Sequence, residues 1–131
     1  MKRATLILTL ALISSTQQPA YADSLSVINS AFGTGIENHT VIGVDTSFSQ
    51  KVGKLYFWAL IGDAKPGDTV YHVWSIRGWT SQRIRIPVQG YRFRTHSVKT
   101  LGDKMAGRWA VHVEDKEGRV LAADSVTVHG N

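Results

Sequence analysis

The chain has 131 residues, 43% of them hydrophobic, with 15 Lys and Arg against 10 Asp and Glu and no cysteine. That length holds one domain with a modest core and leaves no room for a second. The missing cysteine excludes disulfide scaffolds, thiolate metal sites, cysteine nucleophiles and lipid anchoring through an N-terminal Cys, while the net charge of +5 is consistent with an anionic partner without naming one.

The first element in chain order is a leader. Lys2 and Arg3 give a basic start, residues 4–13 are apolar apart from two Thr, a polar stretch follows, and Ala20-Tyr21-Ala22 is a small-x-small site. These are the three parts of a secretory signal peptide. The apolar run of ten residues is about half of the roughly 20 a helix needs to cross a bilayer. Cleavage after Ala22 therefore defines a signal peptide, 1–22, and a single domain, 23–131, of net charge +3, with no transmembrane segment after cleavage. The expected location is periplasmic or secreted. Without disulfides, the domain must rest on its core alone.

After residue 23 no stretch keeps apolar residues at helical spacing for three turns. Alternating and β-rich clusters recur at 25–32, 43–48, 54–61, 69–76, 82–88, 91–98, 108–114 and 119–128. Gly, Asp, Asn and Pro punctuate them, at 62–68, Arg77-Gly78, Gln89-Gly90 and 115–118. This spacing predicts an all-β domain, an antiparallel, immunoglobulin-like β-sandwich of about seven to eight short strands, with a small closed barrel as the alternative.

Charge is concentrated in residues 77–108. Arg77, Arg83, Arg85, Arg92, Arg94, Lys99, Lys104 and Arg108 stand there against Asp103 alone. If Gln89-Gly90 closes a hairpin, Val88 lies opposite Tyr91. One face then holds Ile84, Ile86, Val88, Tyr91, Phe93 and Thr95, and the other places Arg83 opposite His96, Arg85 opposite Arg94 and Pro87 opposite Arg92. Directly opposed like charges cost on the order of 0.2–1 kcal/mol. An anionic ligand bridging the guanidinium forks would offset that. The arginines could equally splay into water or pair with acids on a neighbouring strand, such as Glu114 or Asp115.

Trp58, Trp74 and Trp109 lie inside strand clusters and read as core. Trp79 sits within a turn, Arg77-Gly78-Trp79-Thr80, either as a stacking platform for a sugar ring or lipid headgroup or folded over a sandwich end. His72 shares parity with Val70, Trp74 and Ile76, so it is a hydrogen-bonded core histidine if Trp74 is buried, and a site residue with Trp74 if that face joins the arginines. The five histidines lie on separate segments without zinc-site spacing, and the chain has no nucleophile elbow, Gly-rich phosphate loop or paired carboxylates. The reading is non-catalytic, with no metal or cofactor.

An ordered set of motifs carries a resemblance. It comprises Gly53-Lys54-Leu55-Tyr56-Phe57-Trp58, His72-Val73-Trp74, the segment from Arg92 to Lys99, the segment from Gly107 to Val111, and Asp115 with Gly118-Arg119-Val120-Leu121. Together they resemble the bacterial domain-of-unknown-function 2914 family from about Phe32 to Val128. The resemblance implies a single β-rich envelope domain, with Trp74, Arg94, Ser97, Lys99 and Trp109 at motif positions. Phe93 and His96 depart from the pattern, and Trp79 is additional to it. Ser97 and Lys99 then read either as a structural corner or as secondary ligand contacts.

The expectation is an exported binding or accessory module. Arg83, Arg85, Arg92 and Arg94 would supply charge, His96 pH sensitivity and Trp79 stacking. The partner would be an anionic envelope glycan, a lipid headgroup or an acidic protein surface, and not nucleic acid. The alternatives are a protein–protein interaction domain using a sheet edge and, last, a metal-assisted hydrolase.

Overall fold

The computed structural model describes residues 24–130; the signal peptide read at 1–22 lies outside the described residues. Ten strands follow in order: β1 (Ser26–Gly33), β2 (Gly35–Glu37), β3 (Thr40–Ile42), β4 (Ser47–Ser49), β5 (Lys54–Gly62), β6 (Thr69–Ile76), β7 (Trp79–Pro87), β8 (Phe93–Thr100), β9 (Gly107–Asp115) and β10 (Val120–His129). A three-stranded sheet, β1-β5-β8, faces a five-stranded sheet, β4-β10-β9-β6-β7, and β2-β3 forms a separate hairpin. The long strands pair antiparallel, whereas short β4 runs parallel to β10. The chain crosses between sheets after β4, β5, β7 and β8, as expected of an immunoglobulin-like sandwich.

Alternation decides which side chains enter the core. In β5, Leu55, Phe57, Ala59 and Ile61 point inward and are buried; in β6, Val70, His72 and Trp74 do so, and in β9, Trp109, Val111 and Val113. Both sheets contribute to one hydrophobic core. Phe32 meets Phe57 and Trp74 edge-on, at centroid distances of 5.2 and 6.1 Å, and Trp74 meets Trp109 at 6.3 Å. Of these, the Phe32–Trp74 contact joins the two layers by geometry as well as by buried area.

Two elements differ from the expectation. Residues 43–46 are not strand, and the β2-β3 hairpin precedes them. Its turn is Asn38-His39, both with positive φ (50° and 62°), the conformation of a tight two-residue hairpin turn. Gly33 lets this hairpin fold close against β1, since a Cβ there would lie 2.3 Å from the Ile42 carbonyl oxygen. The hairpin covers Trp58, which points away from the core yet is only 6% exposed; its Nε1–H donates to the His39 carbonyl at 2.8 Å.

Candidate functional site: a cationic cleft beside the β2-β3 hairpin

The expected β7-β8 hairpin does not exist. β7 pairs with β6 at the edge of the five-stranded sheet, and β8 pairs with β5 at the edge of the other. The connection through Gln89-Gly90 crosses the sandwich instead of turning back. It is held by Val88 N–H donating to Asp68 O at 2.9 Å and Ala64 N–H donating to Tyr91 O at 3.1 Å. The parity within each strand stands: Ile84, Ile86 and Phe93 are half-buried, Val88 and Thr95 are buried, and Arg83, Arg85, Arg94 and His96 are exposed. Tyr91 is the exception, exposed and bonded through its hydroxyl to Asp63. The register is corrected accordingly. Arg85 lies opposite Tyr71 and Arg94 opposite Leu60, so the four arginines divide between opposite outer faces and no like charges oppose each other.

On the five-stranded sheet Arg83 is fully engaged. Its guanidinium lies 3.7 Å over the Tyr71 ring and donates to Glu114 at 3.1 Å, and Glu114 also accepts from His112 at 2.6 Å. The His112 hydrogen bond, then Arg83, hold the Glu114 carboxyl below the usual carboxylate range against its partial desolvation. This is the pairing with Glu114 that competed with a ligand role. Arg85 makes no ion pair among the described residues.

His72, Trp74 and Ser97 are not a ligand surface either. His72 and Trp74 are 0% exposed. Trp74 Nε1–H donates to Ser97 Oγ at 2.9 Å, and Thr95 Oγ1–H donates to the Ala59 carbonyl at 3.0 Å. Thr95 has then spent its only proton, so its contact with His72 Nε2 at 3.0 Å requires the imidazole to donate. His72 Nδ1 therefore accepts from Ser97 Oγ–H at 2.7 Å, which fixes the neutral Nε2–H tautomer through the bonding network. Burial, then the charge of His96, lower the His72 pKa to about 3. Lys99 extends this brace, donating to Ser81 Oγ at 2.7 Å with its ammonium 5.6 Å from the Trp109 ring centre. Four of the five motif residues thus serve packing between the sheets. Arg94 does not.

Arg94 lies on the outer face of the three-stranded sheet, where Arg92, Phe93, Arg94 and His39 line a cleft of about 310 Å³. The β2-β3 hairpin supplies His39, held there by the Trp58 bond to its carbonyl. Neither Arg92 nor Arg94 makes an ion pair among the described residues. His96 is on the same face, opposite Trp58 and 6.5 Å from the Tyr56 ring. Sequence reasoning missed His39; the Asn38-His39 turn dipeptide was the available signal. Trp79 lies elsewhere, as the first residue of β7 rather than in the turn, and is 78% exposed. Among the described residues no group of three or more His, Asp or Glu side chains is placed to hold a metal.

Because Arg85 and Arg94 reach no acid, replacing both with Gln is expected to change unfolding free energy by no more than about 0.5 kcal/mol, measured by urea denaturation without ligand. A larger loss would show that they hold the fold together.

Fold and cleft define the class: a small immunoglobulin-like sandwich with a surface cleft lined by arginines. Residues 67–128 match the family model described as "Protein of unknown function (DUF2914)", which supports the resemblance over that segment. The motif from Gly53 to Trp58 lies N-terminal to the matched segment. No curated protein matches the chain. A crystal structure of an endonuclease/exonuclease/phosphatase from Beutenbergia cavernae DSM 12333 is similar over 57% of this chain at 16% identity and a TM-score of 0.38; the chain spans 20% of that protein's length.

Proposed function

We propose that the protein is an exported, non-catalytic binding module that takes an anionic group of an envelope component in the cleft between His39 and Arg92–Arg94. The observation that carries this reading is the pair of guanidinium groups, without acid partners among the described residues, on a cleft that also has an imidazole and an aromatic ring. Arginine forks suit phosphate or carboxylate oxygens. Phe93 offers an apolar wall, and His39 offers a donor whose strength rises on protonation. A volume of about 310 Å³ suits one sugar residue or headgroup, at the low end of small-ligand sites. The leader-like N-terminus supports export, and an envelope glycan or lipid headgroup supplies the matching anion.

Glucose 6-phosphate, compared with glucose, is the probe. Arg92→Gln with Arg94→Gln is expected to weaken its binding at least tenfold by calorimetry, since charge-assisted bonds contribute about 1.5–3 kcal/mol each. Arg83→Gln with Arg85→Gln should leave it unchanged. Binding should also fall steeply between low and 0.3 M salt. Binding that survives both the cleft substitutions and high salt would sink this reading. It would favour the second one, partner addition to the open edge of β8, which among the described residues has no neighbour beyond β5 in its sheet.

A further inference from the structure

Trp79 is left without a role by the cleft. The other tryptophans, Trp58, Trp74 and Trp109, are all buried. Trp79 alone, at 78% exposure, presents its indole to the outside. The strand beginning there carries a bulge: Trp74 faces Gln82 and Ser75 faces Thr80, leaving Ser81 as the extra residue. Bulges re-aim side chains, and this one sets the parity of Trp79 apart from the rest of β7. The turn before it strains the backbone as well. Arg77 adopts φ 51° ahead of Gly78 at φ 81°, a conformation that ordinarily favours Asn or Gly, and its guanidinium donates to Ala106 O at 2.9 Å.

Topology shows what surrounds Trp79. β5 starts, β6 ends, β7 starts, β8 ends and β9 starts at the same end of the sandwich. The connections there are the 3-10 turn Gln50–Val52, the turn Arg77-Gly78 and residues 101–106. They bring Lys51, Arg77 and Lys104, with Lys54 and Arg108 on the adjoining strand starts, against Asp103; Asp45 stands outside the connections, ahead of β4. Val52, in the 3-10 turn ahead of β5, is exposed at this same end. The opposite end also exposes apolar residues, Ile28, Tyr91 and Val120, but its loops carry Asp63, Asp68, Asp115 and Glu117 among Lys65, Lys116 and Arg119. Apolar exposure alone therefore does not distinguish the ends. Its coincidence with net positive charge does.

We propose that this end of the sandwich is a peripheral membrane-contact surface, with Trp79 entering the headgroup layer of a bilayer and Lys51, Lys54, Arg77 and Lys104 lying against anionic lipid phosphates. Indole rings favour the headgroup level because one part is apolar and the N–H needs a polar partner. Basic residues near the surface add Coulomb attraction within a Debye length. The proposal is independent of the cleft, which lies on the outer face of the three-stranded sheet near the start of β8. It makes the protein a surface-bound module whose cleft, at the start of β8, is held a strand's length away from the membrane.

The test uses the full chain and Trp79 emission, the other three indoles being already shielded. Residues 4–13 are common to all variants, so differences between variants report on the sandwich. Vesicles of phosphatidylglycerol and phosphatidylcholine should shift the emission to the blue, vesicles of phosphatidylcholine alone should not, and Trp79→Phe should abolish the shift. Trp79→Ser should weaken co-sedimentation with the anionic vesicles about tenfold. Lys51→Gln with Lys54→Gln should weaken it about 25-fold, roughly fivefold per charge. Arg92→Gln with Arg94→Gln should change neither readout, which keeps this proposal separable from the cleft reading. The proposal is overturned if the shift is absent, equal on neutral vesicles or retained in Trp79→Phe, or if the cleft variant abolishes sedimentation. The same shift with soluble dextran sulfate would also overturn it, in favour of a polyanion site.

Discussion

Trp74→Ala is expected to lower the unfolding free energy by about 3–5 kcal/mol, the range for removing a large aromatic from a core that relaxes only in part. The side chain is fully buried, meets Phe32 and Trp109 edge-on, and donates to Ser97. Its loss opens a cavity between the sheets and takes one donor from a network with no access to water. Domains of this size have about 5–15 kcal/mol in hand, so the variant should be folded only marginally. Trp74→Phe keeps much of the volume and should cost less than half as much. Urea denaturation of both decides the matter; a loss below about 1 kcal/mol for Trp74→Ala would mean that the sheets are not joined here.

The second large effect is acid lability through His72. The unfolded imidazole titrates near 6.5 and the folded one near 3. Between these values the unfolded chain binds a proton that the folded chain refuses, so stability falls as pH is lowered through that window. The whole window is worth about 5 kcal/mol, and the step from pH 7.5 to pH 5 about 2 kcal/mol. Glu114 acts in the same direction, but its contribution is lost only as pH falls through the usual carboxylate range and below, so the pH 7.5 to pH 5 step reports chiefly on the histidine. His72→Gln should be less stable at pH 7.5, because Ser97 and Thr95 lose their partner, but should lose little more at pH 5. A wild-type protein equally stable at both pH values would contradict the assignment of a neutral buried imidazole.

Much of this was legible in the residues. Alternation placed Ile84, Ile86 and Thr95 inward and Arg83, Arg85 and Arg94 outward, because a period of two fixes the face of a strand. It does not fix the sheet. The connection from Val88 to Arg92 is compatible with a hairpin or with a crossing, and what distinguishes them is the backbone bonding of Val88 to Asp68 and Ala64 to Tyr91. These contacts have long sequence separation and leave no local pattern. The error mattered, since it gathered onto one face four arginines that the fold divides between two. His39 was hidden for a different reason. β2 and β3 are three residues each, too short for alternation to register, and their role is to cover Trp58 from outside. Taken singly, Ser97 and Lys99 read as a structural corner and Trp74 and Trp109 as core. Their meaning is joint, a chain from Lys99 and Trp109 through Trp74, Ser97 and His72 to Thr95, and it becomes visible only when the two sheets face each other.

The division between a dry polar brace and an outward cleft is the centre of this account. An NMR titration of the full chain with glucose 6-phosphate at low salt tests it most directly. Resonance changes should be confined to Asn38, His39 and Arg92–Arg94, with His72 and the Arg83–Arg85 segment unmoved. Changes centred on β7, or none at all up to millimolar ligand, would contradict it.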